Sequence, residues 1–182
     1  MSNLNCPKVT ILRLGHRPSR DKRLTTHLLL AARAFGASSA IYTGIHDISM
    51  EESIKKIVRD WGGNFTTRYS DNYREVIKEW EGEIVHLTMY GLPIQDTINQ
   101  IRLNNNSKLI IVGGAKVPRD IYEFAHWNIA VTGQPHSEVS ALAIFLNMLN
   151  EGKMLNYEFP EARLKITPQK RGKLVEHKAS NS

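Results

Sequence analysis

Val131-Thr132-Gly133-Gln134-Pro135-His136-Ser137-Glu138-Val139, running into Ser140 to Leu149, is the stretch on which the fold is read. A short apolar strand, Asn128 to Val131, ends in a polar turn, and a helix begins at once. Pro135 has its backbone angle preset for a first helical turn, and Glu138 puts negative charge where a helix start favours it. Apolar residues at Val139, Leu142, Ala143, Leu146 and Leu149 recur at helical spacing and predict one buried face. Strand, small-residue turn and buried helix gather several backbone N–H groups at one point. In an open α/β sheet that point, at the carboxyl end of a strand, is where ligands bind. An ordinary β-to-α turn capped by polar residues has the same pattern, so the rest of the chain must decide between the two.

Outward from this stretch, strand and helix alternate. Buried strands are predicted at 8–14, 39–43, 84–88 and 109–112, with a more exposed one at 65–69. A helix opens at Ser19 or Arg20-Asp21 and runs to about Phe35, capped by Gly36; others cover 48–61, 73–80, 94–103 and 118–125. Met89 to Pro93 reads as a turn between strand and helix. The class is therefore α/β with a mostly parallel sheet flanked by helices. After Gly152 the composition becomes extended and basic. Residues 1–152 are expected to form a single α/β domain and 153–182 an extension that packs on the domain or on a dimer partner.

The 182 residues are 41% hydrophobic and 23% charged, as in a soluble globular protein, and no apolar run approaches the length of a membrane span. The amino terminus lacks the pattern of an export signal, and the single cysteine, Cys6, fits a reducing compartment, so a cytoplasmic location is expected. The charge is unevenly placed. Residues 13–33 carry a net +5, residues 163–182 another +5, and the intervening 34–162 a net −5. Two basic ends around an acidic body suit phosphate groups if they come together, on one subunit or across a dimer. A solvated surface with a basic tail is the plainer alternative.

Several chemistries are excluded. There is no Gly-x-Gly-x-x-Gly after the first strand, no Walker-type loop and no Gly-x-Ser-x-Gly elbow. The seven histidines do not pair at metal-ligand spacing, and one cysteine cannot build a zinc cage, so no metal site is expected. Three strand ends remain, Leu87 to Gly91, Val112 to Pro118 and Val131 to Ser137, each with glycine that permits close backbone approach of a ligand. Together they could line a pocket of main-chain donors and acceptors suited to an adenine edge. The second candidate is Arg13 to Arg23, with five cations in eleven residues led by Arg17, Arg20 and Arg23. Basic residues at a helix start are unfavourable unless an anion binds there, so this loop suits phosphate or ribose-phosphate better than a salt-bridged helix end.

At these residues the sequence resembles a known family. Arg13-Leu-Gly-His-Arg-Pro, then Arg20-Asp-Lys-Arg23 and Thr25-Thr-His27, Ala32-Arg-Ala-Phe-Gly-Ala37, Val85-His-Leu-Thr-Met-Tyr-Gly91 and Gln134-Pro-His-Ser-Glu-Val139 look like the archaeal tRNA ribose 2′-O-methyltransferases. That family, of the SPOUT superfamily, modifies cytidine 56 of the T-loop, and the resemblance covers roughly residues 8–178. It implies a carboxyl-terminal trefoil knot, a homodimer, tRNA as substrate and S-adenosylmethionine as cofactor, with no metal and no membrane. By position it assigns the cofactor to Leu87, Val112, Gly113, Gly114, Ala115 and Lys116, and to Ala130, Val131, Thr132, Gly133, Gln134, Pro135, His136 and Ser137. It assigns substrate and catalysis to the arginine-rich motif. On physical grounds Arg20 ranks first, then Arg17 and Arg23, as stabilisers of developing charge, with His27 or His16 either accepting the proton or orienting a neighbour. Ala115 stands where the family pattern has an acid, and Thr132-Gly133 replaces the expected Gly-Asn. Another SPOUT methyltransferase with a different RNA target, or an RNA-binding module without activity, remains the alternative.

Overall fold

The computed structural model describes residues 7–20, 23–114 and 116–178. Its order is β1 (Val9–His16), α1 (Leu24–Ala34), β2 (Ser39–Gly44), α2 (Ile48–Trp61), β3 (Thr66–Tyr69), α3 (Tyr73–Lys78), β4 (Glu83–Pro93), α4 (Ile94–Leu103), β5 (Lys108–Val112), α5 (Arg119–Phe124), β6 (Trp127–Ala130) and α6 (Glu138–Leu149). A 3-10 turn (Lys153–Asn156) and two short strands, β7 (Leu164–Ile166) and β8 (Val175–His177), complete it. Six strands form a parallel sheet in the order β3-β2-β1-β5-β4-β6. None of the helices in the described residues is long and apolar enough to cross a membrane.

Alternation along the central strands builds two cores. Val9 and Ile11 of β1 and Ile110 and Val112 of β5 pack toward α1, α2, α4 and α6. Leu12 and Leu14, with Leu109 and Ile111, pack toward α3 and α5. A strand covered on both faces must be apolar at nearly every position, which explains the continuous run Leu109-Ile-Ile-Val112. On α6 the buried residues are Ala141, Leu142, Phe145, Leu146 and Leu149, so the predicted stripe is present, with Val139 and Ala143 at its half-buried margins. Each large apolar side chain buried this way contributes about 1.5–3 kcal/mol.

Three boundaries depart from expectation, each for a local reason. Helix α1 starts only at Leu24, with Arg23 at its N-cap position, no capping side chain and no acid in its first turn. Residues 17–20 form a turn closed by Arg20 N–H donating to the Arg17 carbonyl (3.1 Å). Pro135 does not open α6; Ser137 is its N-cap, its hydroxyl accepting from Val139 N–H (3.2 Å), and residues 131–137 form a loop of their own. The third concerns Met89 to Pro93, which is a continuation of β4 rather than a turn that ends it. Pairing with β6 breaks after Leu87↔Ile129 and resumes at Leu92↔Ile129 and Pro93↔Ala130, leaving Thr88 to Gly91 as an outward bow.

Gly91 is what permits that return. A Cβ on it would lie 2.4 Å from the Asn128 carbonyl carbon and oxygen and 2.5 Å from Ile129 N, all backbone atoms of the neighbouring strand. The chain after α6 docks elsewhere. Gly63 N–H donates to the Pro160 carbonyl (2.8 Å) and Arg163 N–H to that of Asp60 (3.0 Å), while Arg33 lies 4.5 Å over the Phe159 ring. Gly62 and Gly63 follow α2 and precede β3, so the basic extension sits near the amino ends of the strands. Gly91→Ala is expected to cost about 1–3 kcal/mol through forced backbone separation. Denaturant unfolding checks this, and an unchanged midpoint would show that the close approach is not constraining.

Candidate active site

Because β5, β4 and β6 are neighbours and parallel, their carboxyl ends converge. Leu87 to Tyr90, Val112 to Gly114 and Val131 surround a cavity of about 380 Å³, closed by Pro135 to Glu138 and Ala141 at the start of α6. Beside it lies a second cavity of about 640 Å³ at the ends of β1 and β2. Arg13, Arg17, Arg20 and Lys116 bring four cations to it, with Thr43 and Tyr73 on the far wall. The strand order reverses between the parallel neighbours β1 and β5, and the second cavity opens at that switch point, the usual ligand position in such sheets. Gly114 and Glu138 line both cavities and form the wall between them.

The sequence-assigned residues divide accordingly. Leu87, Val112, Gly113, Gly114, Val131, Pro135, His136 and Ser137 line the first cavity. Lys116 lines the second, with Arg17 and Arg20. Ala130 is buried in the sheet behind the site, and Thr132, Gly133 and Gln134 form the exposed part of the loop, outside the lining. Arg23 and His27 are exposed and line neither cavity. Ala115 lies outside the described residues.

The geometry adds groups that periodicity does not single out. His86 is fully buried and lines the first cavity, its ring edge-on to Tyr122 at 4.7 Å. Asn128 donates its amide to the Tyr122 carbonyl (2.9 Å), so its Oδ1 accepts from His86 Nδ1 (2.8 Å) and fixes the tautomer. Burial pushes the His86 imidazole below its ordinary value, keeping it neutral. Tyr122 in turn shares its hydroxyl with Thr88 on the bow of β4 (3.2 Å). Arg13, on the core face of β1, is 2% exposed and its Nη2 lies 3.9 Å from Glu138 Oε1.

The arginine loop is held from below. His16 ends β1 and is buried, with Nδ1 2.9 Å from Thr25 Oγ1 in the first turn of α1 and Nε2 3.2 Å from Asp47 Oδ2. One imidazole thus ties the two ends of the segment that carries Arg17, Arg20 and Arg23. With both nitrogens engaged, His16 is a brace rather than an available proton acceptor. Asp47 also caps α2, and the Met50 N–H, followed by His16, holds its carboxylate below the usual range. A depressed carboxylate adds stability above its unfolded pKa that is lost as pH falls through the folded one. Asp47→Ala should therefore cost about 1 kcal/mol at neutral pH, the loss of a helix cap. Its deficit relative to the parent should shrink in acid, as unfolding curves across pH would reveal; a pH-independent gap would contradict the assignment.

Residues 61–176 match the family described as tRNA ribose 2′-O-methyltransferase, aTrm56. The tRNA (cytidine(56)-2′-O)-methyltransferase of Methanopyrus kandleri is 51% identical over 173 residues, 93% of this chain and 97% of its own length. That of Methanothermobacter thermautotrophicus is 51% identical over 170 residues, covering 92% and 95%. Among solved structures, the fold is shared with the TrmH/SpoU tRNA modifying enzyme from A. aeolicus (TM-score 0.59, 13% identity, 82% of this chain and 79% of that one). It is shared also with the SpoU methyltransferase AviRb from Streptomyces viridochromogenes, solved with AdoMet (TM-score 0.59, 12% identity, 81% and 58%). With half of its residues identical over almost the full length of both chains, this protein belongs to the tRNA ribose 2′-O-methyltransferase family.

Proposed function

We propose that this chain methylates the 2′-hydroxyl of cytidine 56 in tRNA, with S-adenosylmethionine in the first cavity and the target ribose in the second. The observation that carries this assignment is the shared wall: an apolar pocket and a cationic pocket meet at Gly114 and Glu138. The first cavity falls within the roughly 300–1,000 Å³ of small-molecule sites. Leu87, Val112, Ile129 and Ala141 give it apolar walls for a flat ring, and the three strand ends bring main-chain polar groups to the ring's edge. The cations of the second cavity suit a polyanion. The residues present fit both partners.

S-adenosylmethionine supplies a methyl group already activated on a sulfonium, so the reaction needs no Lewis acid. What remains for the protein is to orient the ribose and to stabilise charge as the hydroxyl becomes alkoxide-like. A guanidinium keeps its proton, so Arg20 acts by charge stabilisation and by clamping a neighbouring phosphate, with Arg17 beside it. Arg23 and His27 take the flank of the same surface. Homodimer formation through α6 is part of the proposal, supported by Ile144, which is 45% exposed on that otherwise apolar helix. So is the carboxyl-terminal knot, for which the interrupted β4–β6 pairing and the Gly91 contact give support. The cytoplasm is the proposed location.

The test is transfer of labelled methyl to an unmodified tRNA transcript and to one carrying 2′-deoxycytidine at position 56. Label in the first alone supports the assignment of reaction, atom and site; equal label in both moves the target elsewhere. Absence of label with cofactor bound points to another RNA, and absence of binding to an inactive RNA-binding module. Arg20→Ala should lower turnover at least about tenfold with cofactor affinity within about twofold, since its work is confined to the transition state. Activity should persist in EDTA.

A further inference from the structure

The geometry points to Glu138 as a catalytic residue: its carboxylate accepts the 2′-hydroxyl hydrogen of the target ribose and takes the proton as the methyl group is transferred. This inference rests on the assignment of the two cavities to cofactor and ribose. Glu138 is the only carboxylate among the described residues that line either cavity, and it lines both. A group at the junction of donor and acceptor sites is where a proton acceptor has to stand.

Its position is fixed from two sides. As the first residue of α6, directly after the Ser137 cap, its backbone is held by the helix. Its Oε1 lies 3.9 Å from the guanidinium of buried Arg13 and 3.5 Å from the point where a Cβ on Gly114 would be. Glycine at 114 thus leaves the carboxylate open toward the strand end. The Arg13 contact is longer than a hydrogen bond. It orients the carboxylate without consuming its acceptor capacity.

The other titratable groups near the site are bonded elsewhere or line at most one of the two cavities. His16 is bonded through both nitrogens to Thr25 and Asp47, and His27 lines neither cavity. Tyr73 donates its hydroxyl to Asp120 (3.1 Å). His136 and His86 line only the cofactor cavity; His136 Nδ1 is 2.7 Å from the Gln134 carbonyl, and His86 is bonded to Asn128 through Nδ1 while its Nε2 is buried without a hydrogen-bond partner among the described residues. Guanidinium groups cannot accept a proton. As the 2′-oxygen bonds to the methyl carbon, the carbon–sulfur bond breaks and its electron pair stays on sulfur. The hydroxyl proton moves to a Glu138 oxygen and then to water, while Arg20 stabilises the charge that develops before transfer is complete.

The test compares the full-length parent with Glu138→Gln, Glu138→Asp and Glu138→Ala. Removing a general base costs about 100-fold or more in turnover. Glu138→Gln should show that loss while binding S-adenosylhomocysteine and tRNA within about twofold of the parent, and Glu138→Asp should fall between. Binding gives a readout independent of turnover. The parent should hold the ordinary transcript more tightly than the 2′-deoxycytidine-56 transcript, and Glu138→Ala should lose that preference. Turnover of Glu138→Gln within about threefold of the parent would overturn the proposal. Loss of tRNA binding together with turnover would also overturn it, reducing Glu138 to a support for Arg13. If the parent itself transfers no methyl to the ordinary transcript, the cavity assignment fails and the proposal falls with it.

Discussion

The site depends on the backbone contact between Gly91 and the Asn128–Ile129 peptide. Parallel strands normally part once their register ends, because the crossover helix carries the chain away. Here β4 bows out at Thr88 to Gly91 and returns to pair with β6 again before α4 begins. The bow forms one lip of the first cavity, and Ile129 of β6 also lines it. A side chain at 91 would push β4 and β6 apart beside that cavity. The Thr88–Tyr122–Asn128–His86 chain of hydrogen bonds then fastens the bow to α5 and β6.

The second organising contact lies across the strand ends. Arg13 on β1 and Glu138 on α6 approach over Gly114 of β5, so three elements far apart in sequence meet at the wall between the cavities. Burying a guanidinium is costly unless a partner compensates it. The Glu138 carboxylate at 3.9 Å contributes to that compensation. Lying at the junction of an apolar and a cationic pocket, it is also placed to engage a substrate.

Much of this architecture can be read from one-dimensional pattern. The strands and most helices follow from apolar runs and periods, and α2 matches its predicted limits because Asp47 caps one end and Gly62 the other. What pattern misses is tertiary. Met89 to Pro93 contains glycine and proline and so looks like a turn; only the neighbouring strand makes it a resumed β-strand. Pro135 looks like a helix start, but Ser137 offers a better cap two residues on. His16 lies inside a basic motif and invites a chemical role that its two hydrogen bonds preclude. Arg13 hides in a strand of apolar residues, and Glu138 reads as ordinary helix-start charge. Tyr122 carries no local signal at all. Its role comes from which strand ends the sheet order makes adjacent.

The same topology bears on the two basic ends. Arg17 and Arg20 lie at the carboxyl ends of the strands, whereas the extension carrying Arg163 to Lys178 docks beside Gly62 and Gly63 near the amino end of β3. Six residues of strand span roughly 20 Å. Within one subunit the two regions therefore do not merge into one compact patch. An RNA that engages both must run along the sheet, or the second patch must come from another copy of the chain. On the proposed reading the arginine loop holds the reacting nucleotide, and the distant cations orient the rest of the RNA through contacts that are long-ranged and weakened by salt. Charge counted along the sequence predicts the kind of partner; the direction of the strands decides how that partner must lie.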